Sequence, residues 1–243
     1  MAAALRADGV SLELASFSPE PTPVALAEPD GKGGTRYRFT VAGTAAANLT
    51  PDLVPQDLGP AVTALHVGSL GLVLEPIAST LLALVERERG RRLIVVDPNI
   101  RPGLIDDGLY RSRLRRVLEL SAVVKASAGD LDWLFPGVAQ AAVAEQLLKA
   151  EVRLVVITLG VDGAFAANRR AQTRVPAPAV QVVDTIGAGD AFGAGLLAWL
   201  HDHQALDRSA SLDGDQLREL LEFSCAAAAV TVSNPAPGRP RSS

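Results

Sequence analysis

At 243 residues, of which 48% are hydrophobic and 21% charged, the chain is long enough to bury the core of one large α/β domain. Its net charge of −4 argues against a general nucleic-acid binder, because no basic stripe is available to neutralise phosphates. No signal peptide or apolar run of membrane-spanning length is recognisable, and the single cysteine, Cys225, excludes an internal disulfide. These features predict a cytoplasmic protein without nucleic-acid or membrane partners.

Residues 1–60 are predicted to form a small antiparallel β system. Hydrophobic and polar residues alternate over 11–14 and over 36–41, which is typical of strands with one exposed face. Prolines at 19, 21 and 23 and the glycine-rich run 30–34 are expected to make the turns between them. Two interpretations fit this pattern: an edge of the main domain, or a lid over a site.

From residue 62 to residue 233, short apolar strands alternate with amphipathic helices, which predicts an α/β core over 61–233. Such alternation is typical of a doubly wound, mostly parallel sheet whose ligands bind at the carboxyl ends of the strands. The Pro-rich segment 234–243 is predicted to be a disordered tail. The predicted strands are 64–67, 93–96, 122–124 and 154–157, and the predicted helices are 76–89, 110–120, 131–135, 138–150 and 217–232.

The most informative stretch is 180–195. A β-branched run over 180–183 predicts a strand, the next glycines predict a turn, and 191–201 predicts a helix. In such a turn the amides of Gly187, Ala188 and Gly189 would converge on one point, where the helix dipole favours an anion. Asp190 follows at once, and a carboxylate beside an anion site suits a base that deprotonates a hydroxyl during phosphoryl transfer. The alternative is an ordinary acidic residue at a helix N-terminus.

Three more polar clusters follow predicted strands. Asn99 and Arg101 lie between two prolines after the second strand of this core, and a guanidinium suits phosphate oxygens. Ser127 and Asp130 follow the next strand, where the alternative to a functional role is a helix cap. The turn 158–163 follows the strand 154–157, and its glycines allow close backbone approach, although strand–turn–strand geometry explains them equally well. The histidines at 66, 201 and 203 show no metal-ligand spacing and are expected to be structural or solvated.

The run Asp-Thr-Ile-Gly-Ala-Gly-Asp-Ala-Phe-Gly-Ala-Gly at 184–195 closely resembles the signature of the ribokinase-like (PfkB) sugar kinases. The segments 97–102 and 64–70 are most similar to the fructokinase branch of that family. The resemblance implies a ribokinase-like fold with a β lid that often forms homodimer contacts. It also implies ATP and Mg²⁺ as cofactors, with K⁺ as a candidate monovalent cation.

The resemblance further implies a role for each matching residue. Asp190 would be the base, Gly187, Ala188 and Gly189 the anion hole, and Asn99 and Arg101 would lie beside the sugar and the transferred phosphate. The nucleotide side would include Lys125, Ser127, Thr158, Gly160 and Gly163, together with Gly187 and Gly189. Asp130 would order the hydration shell of Mg²⁺, and Asp184 and the backbone of Ile186 would help to bind the monovalent cation.

The resemblance has two departures. Family members usually carry a sugar-binding Asp and a Gly-Gly-x-x-x-Asn segment some tens of residues before the point that matches Val10, and 233–240 replaces an Arg-x-Gly-Ala type ending. The first hypothesis is therefore an ATP-dependent kinase that phosphorylates a primary hydroxyl of a small sugar, with fructose first and 2-keto-3-deoxygluconate, ribose or a nucleoside as alternatives. The second is a catalytically silent relative that only binds nucleotide or sugar.

Overall fold

The computed structural model describes residues 2–29, 35–207 and 209–234. The predicted turn at 30–34 and almost all of the predicted tail at 234–243 lie outside these ranges. Within them, no helix combines the length and the apolar character needed to cross a membrane.

The N-terminal part contains a short helix α1 (Ala2–Ala7) and a two-stranded antiparallel sheet of β1 (Val24–Pro29) and β2 (Thr35–Thr40). The predicted strand at 36–41 is confirmed as β2. The predicted strand at 11–14 is wrong: Ala15 donates to the carbonyl of Leu12 in a turn, and Leu14 is half exposed. Alternation over four residues predicts a strand only where a partner strand is available, and no strand in the described ranges pairs with this segment.

A separate six-stranded sheet forms the centre of the molecule, and its strand order follows the chain. The first four strands are parallel to one another, and each of the last two strands pairs antiparallel with the strand before it. The strands are β3 (Ala64–Gly68), β4 (Leu93–Asp97), β5 (Val123–Ser127), β6 (Leu154–Thr158), β7 (Ala164–Asn168) and β8 (Gln172–Val175).

Helices cover both faces of this sheet, as the α/β prediction requires. One face packs against α2 (Ile77–Glu88), α3 (Asp107–Leu120), α4 (Ala128–Leu134) and α5 (Gln140–Lys149), and the other against α6 (Ala188–Asp202) and α7 (Gly214–Val232). The central strands are buried on both sides, which explains their continuous apolar runs. Alternate residues of β4 therefore enter different cores: Ile94 and Val96 on the α2–α5 face, Leu93 and Val95 on the α6–α7 face.

The predicted strand at 180–183 is wrong, so the segment that leads into α6 is not part of the sheet. Val182 and Val183 are about half exposed, and the amides of Val183 and Asp184 both donate to the carbonyl of Val232 at the end of α7, at 2.7 and 3.2 Å. The segment is therefore a loop fastened to α7. Helix α6 in turn packs closely on α7, because a Cβ on Gly195 would lie 3.0 Å from the Cα of Ser224.

Candidate active site

The carboxyl ends of the parallel strands β3 to β6 meet at one edge of the sheet, and the loops that leave this edge carry most of the predicted site residues. Lys125 lies in β5 itself, and a Cβ on Gly189 would lie 3.3 Å from its Nζ atom. The first turn of α6 therefore lies directly against the ends of these strands. This juxtaposition defines the candidate site.

Helix α6 begins at Ala188, three residues before the predicted start. Gly187 is the N-cap residue in a left-handed conformation with φ of 81°, which a glycine adopts without steric cost. The Ala188 amide donates to the carbonyl of Thr185 at 3.3 Å, so this member of the predicted anion hole already has an acceptor. Within the described residues, the amides of Gly187, Gly189 and Asp190 have no acceptor and can receive an anion.

Asp190 lies in the first turn of α6 and is exposed, so its carboxylate can reach a bound ligand. Asp184, by contrast, is buried at the loop before the helix. One of its carboxylate oxygens accepts the amide of Ile186 at 3.0 Å, and Ile186 itself is exposed. Asp184 therefore stabilises the loop that leads to Gly187, whereas the Asp190 carboxylate is exposed and can contact a ligand.

Lys125 and Asp97 form a buried ion pair at the floor of the site. The Nζ atom of Lys125 lies 2.5 Å from Oδ2 of Asp97, and both side chains are less than a tenth exposed. Burial raises the pKa of the Asp97 carboxyl, and the adjacent Lys125 ammonium opposes that shift. The pair joins the end of β4 to β5 beneath the first turn of α6.

His66 on β3 completes a row of titratable groups across three neighbouring strands. Its partial burial lowers the pKa of the imidazole, while the carboxylates of Asp97 and Asp190 raise it and the Lys125 ammonium lowers it further. In the parallel register of β3 and β4, His66 lies opposite Val95, two residues before Asp97. Its burial is only partial, and enough of its surface remains exposed for a ligand to reach it.

The Asp130 carboxylate accepts hydrogen bonds from two separate segments, the loop after β4 and the start of α4. Its Oδ2 accepts the amide and hydroxyl of Ser127 at 2.9 and 2.6 Å, and Ser127 caps α4 in return, so the two form a capping box. Its Oδ1 accepts the amide of Ile100 at 2.8 Å. The helix-cap alternative is thus realised, and Asp130 additionally fixes the loop after β4.

That loop presents the two residues predicted to bind substrate. Asn99 has a positive φ of 39°, a conformation that asparagine tolerates better than most residues. The guanidinium of Arg101 donates to the carbonyl of Ile100 at 3.2 Å and lies over the ring of Phe39, 5.6 Å from its centroid. Arg101 therefore links the small sheet to the site. Its contacts among the described residues do not include Asp190.

Three of the predicted nucleotide-side residues, Thr158, Gly160 and Gly163, lie at the end of β6 and in the turn after it. Thr158 lies opposite Ser127 in the parallel register of β5 and β6, so the two hydroxyl-bearing residues are neighbours. Gly163 has a φ of 92°, and a Cβ there would collide with the carbonyl oxygen of Val175. Gly160 also has a positive φ, of 61°, but faces open space. Gly163 thus has a packing role, whereas Gly160 leaves room for a ligand.

Three residues near the site were not predicted from the sequence to be site residues. Asp97 ends a four-residue apolar strand, His66 interrupts the apolar strand β3, and Phe39 belongs to the separate small sheet. Asp97 carried a usable signal, since a charged residue at the end of a buried strand requires a partner, and His66 carried a weaker one as a titratable residue within an apolar strand. The contact of Phe39 with Arg101 gave no signal in the sequence, because it joins distant parts of the chain.

Comparison with known protein families identifies the family of this chain. The family described as pfkB family carbohydrate kinase matches residues 1–242. The chain belongs to this family. Its pfkB signature corresponds to the loop before α6 and the first two turns of that helix.

Among curated relatives, the chain is 39% identical over 217 residues to a fructokinase of Rhizobium leguminosarum bv. trifolii. That match covers 88% of this chain and 66% of the Rhizobium protein, so the chain spans about two thirds of its length. The fold is similar to fructokinase structures from Xylella fastidiosa with bound ATP (TM-score 0.83) and from Vibrio cholerae O395 with fructose, ADP and calcium (TM-score 0.79). Both are 24% identical; the matches cover 96% of this chain and 74% and 75% of those chains.

Proposed function

We propose that this pfkB-family protein is an ATP-dependent sugar kinase that transfers the γ-phosphoryl group to a primary hydroxyl. The observation that carries the proposal is the exposed Asp190 carboxylate, which lies in the same helix turn as free amide donors, and this turn lies against the Lys125 ammonium at Gly189. A base and a set of anion-binding groups at one point suit phosphoryl transfer to a hydroxyl.

In the proposed reaction, Asp190 accepts the proton of the sugar hydroxyl as its oxygen attacks the γ-phosphorus. The bond between that phosphorus and the bridging oxygen of ADP breaks while the new bond to the sugar oxygen forms. The amides of Gly187, Gly189 and Asp190 stabilise the negative charge on the phosphoryl oxygens. Arg101, held by Phe39, supplies a positive charge from the opposite loop.

Magnesium, when bound with ATP, would supply positive charge that offsets the charge of the phosphates. The chain offers Asp130 for its hydration shell: three hydrogen bonds to Ile100 and Ser127 occupy most of its acceptor sites, which leaves room on Oδ1 for about one more donor, such as a metal-bound water. A direct bond from this carboxylate to the metal fits less well. We propose that Asp184 and the backbone of Ile186 bind the monovalent cation, which we take to be K⁺.

We propose fructose as the first substrate to test. The proposal is supported by the Rhizobium fructokinase relative and by the fructose and ADP named for the Vibrio structure. Ribose, 2-keto-3-deoxygluconate and a nucleoside are the alternatives, because they require the same chemistry and differ only in the pocket.

A silent relative that binds nucleotide or sugar without turnover is the second candidate. It is favoured by one observation: among the described residues, the contacts of Arg101 do not include Asp190, so the structure itself does not bring this positive charge to the proposed base. The two candidates differ in turnover but share binding, so a binding assay alone cannot separate them.

The test is ADP formation by the purified protein with ATP, Mg²⁺ and K⁺ over these four substrates, each confirmed by detection of the phosphorylated product. Turnover with one of them supports the kinase and identifies its substrate. ATP binding without turnover on any of them would overturn the kinase proposal and leave the silent relative.

We also propose that the sheet of β1 and β2 forms a homodimer contact. Val24 and Leu26 on β1 are about half exposed, which leaves apolar surface on this sheet. Light scattering of the wild type and of Leu26→Asp tests this: a dimer that dissociates in the variant supports it, and a wild-type monomer at micromolar concentration overturns it.

A further inference from the structure

A groove of about 450 Å³ runs along helix α3, and none of the buried residues of that helix lines it. Its lining residues follow each other at short helical spacings, which places them on one side of the helix. They are Gly108, Arg111, Ser112, Arg115, Arg116 and Glu119. Half of them are arginines, although the whole chain has a net charge of −4. The groove is therefore a local concentration of positive charge on an acidic protein.

The guanidinium of Arg111 is held by an aromatic ring and not by an anion. It lies over the ring of Trp133 on α4, 3.8 Å from the ring centroid. Among the described residues it forms no hydrogen bond or ion pair, and its Nη1 atom is buried without a partner. Stacking uses the face of a guanidinium, so the N–H donors around its edge keep their capacity for an anion. Arg111 is therefore a positioned cation whose hydrogen-bonding capacity is unused.

Arg115, one helical turn further along, supplies a second charge to the groove. Its guanidinium donates to a backbone carbonyl of α4 at 3.5 Å and forms no ion pair in the part of the chain that the structure describes. Arg116, by contrast, pairs with Glu86 at 2.9 Å. Glu119 follows Arg115 by four positions without pairing with it, so its carboxylate offsets charge only at the far end of the groove. The uncompensated positive charge therefore lies at Arg111 and Arg115.

Two unpaired guanidiniums one turn apart suit a compact anion that has several acceptor oxygens. A phosphoryl dianion presents three such oxygens and can accept from both side chains. A nucleic acid fits less well, because it needs a basic stripe that extends beyond a single groove. Ser112 and Glu119 add a hydroxyl and a carboxylate, which can bind hydroxyl groups of a ligand.

We propose that this groove is a second anion site, separate from the kinase site, which binds a phosphoryl dianion through Arg111 and Arg115. The dianion can come from free phosphate or from a sugar phosphate, whose hydroxyl groups would lie near Ser112 and Glu119. Binding at this groove requires no turnover, so the inference does not depend on the proposed kinase reaction.

Two aromatic side chains connect the groove to the loop that presents the predicted substrate residues. The ring of Trp133 packs against the buried ring of Tyr110, with centroids 5.2 Å apart. The Tyr110 hydroxyl in turn accepts the backbone amide of Arg101 at 3.3 Å. An anion on Arg111 therefore lies three contacts away from that loop, and Trp133 reports on the groove while it can also respond to the kinase site.

The test uses the two tryptophans of the sequence, Trp133 and Trp199, whose indole ¹⁵N–¹H signals are assigned with Trp199→Phe. Inorganic phosphate and fructose 6-phosphate are titrated separately into wild type at constant ionic strength. At least one of them should shift the Trp133 signal with a Kd of about 1 mM or below. The signal of Trp199, which stacks on His203 near the end of α6, should stay unchanged. The lower Kd of the two identifies the source of the dianion.

Arg111→Gln/Arg115→Gln separates the groove from the kinase site. This variant should raise the Kd by at least about tenfold, because both charged donors are gone. Arg169→Gln/Arg170→Gln is the matched control: it removes the same charge from two exposed arginines that each donate to a backbone carbonyl, and it should leave the Kd within about twofold of wild type.

Two results would overturn the inference. One is a folded wild type whose Trp133 signal moves with neither compound. The other is a shift that persists with the wild-type Kd in Arg111→Gln/Arg115→Gln, since the dianion would then bind at the kinase site only. A protein that binds phosphate in the groove but phosphorylates no sugar would instead overturn the proposed function and leave this inference standing.

Discussion

The backbone amide of Ile100 donates a hydrogen bond of 2.8 Å to Oδ1 of Asp130, and this bond joins the loop after β4 to the first turn of α4. The other oxygen of the same carboxylate binds Ser127. A single side chain thus caps a helix and fixes the loop that presents Asn99 and Arg101. Stability and site geometry are coupled at this residue.

Asp130→Ala should therefore lower both the stability and the activity. We expect a loss of about 2 kcal/mol in the free energy of unfolding, from the cap and the bond to Ile100, and a fall of at least about tenfold in kcat/KM as Arg101 loses its fixed position. Urea unfolding and steady-state kinetics measure the two effects.

Asp213→Ala is the control, because Asp213 forms the capping box of α7 with Gln216 and is also partly buried. It should lower stability by about 1–2 kcal/mol without changing kcat/KM. Equal loss of activity in both variants would mean that Asp130 acts through stability alone.

Phe39→Leu should weaken substrate binding without unfolding the protein. The ring of Phe39 lies under the guanidinium of Arg101, and such a contact contributes about 0.5–1 kcal/mol at a partly exposed position. We expect KM for the sugar to rise by about threefold and kcat to change less. Phe135→Leu removes a similar contact, in which Arg115 lies 5.7 Å from the ring, and should leave KM unchanged. An unchanged KM in Phe39→Leu would mean that the small sheet does not contribute to substrate binding.

The two glycines after β6 should respond differently to alanine. Gly163→Ala forces a Cβ into the carbonyl of Val175 at a positive φ, and we expect a loss of about 3 kcal/mol in the free energy of unfolding. Gly160→Ala meets open space and should cost about 1 kcal/mol, from its left-handed conformation alone. If Gly160 contacts nucleotide, KM for ATP rises in Gly160→Ala. Similar stabilities for the two variants would contradict the packing role of Gly163.

His66 should make stability depend on pH in a defined direction. Burial lowers the pKa of the folded imidazole, so the unfolded chain, with a pKa near 6.5, takes up the proton first as the pH falls. The contribution of neutral His66 is fully present above about pH 6.5 and is lost as the pH falls from there towards the lower folded pKa. The free energy of unfolding should fall less in His66→Gln than in wild type between about pH 7.5 and about pH 5.5. His201→Gln, which alters an exposed histidine, is the control, and parallel pH profiles for wild type and His66→Gln would contradict the prediction.

The parallel core was predictable because its strands carry continuous apolar runs that no other arrangement buries as well. The predicted strands at 93–96 and 154–157 coincide with β4 and β6 to within a residue. The run at 180–183 has equally strong β propensity but is exposed and bonded to the end of α7. Local composition cannot distinguish the two cases, because a strand also needs a neighbour with free backbone groups.

Within the site, residues contributed by one continuous segment were easier to predict than contacts between segments. The glycine turn and Asp190 follow each other in the chain, so their proximity was evident. The pairs Asp97–Lys125 and Phe39–Arg101 join residues 28 and 62 positions apart, and only the register of the strands and the place of the small sheet bring them together. The residue roles inferred from the family remain predictions.

The central claim is that Asp190 is the base of a sugar kinase, and phosphorylated product formed by wild type and by Asp190→Asn tests it most directly. The substitution keeps the shape of an exposed side chain, so the variant should fold and bind ATP normally while kcat falls by about a hundred- to ten-thousandfold. Asp215→Asn, in the first turn of α7, should retain wild-type kcat. Wild-type turnover in Asp190→Asn would contradict the account.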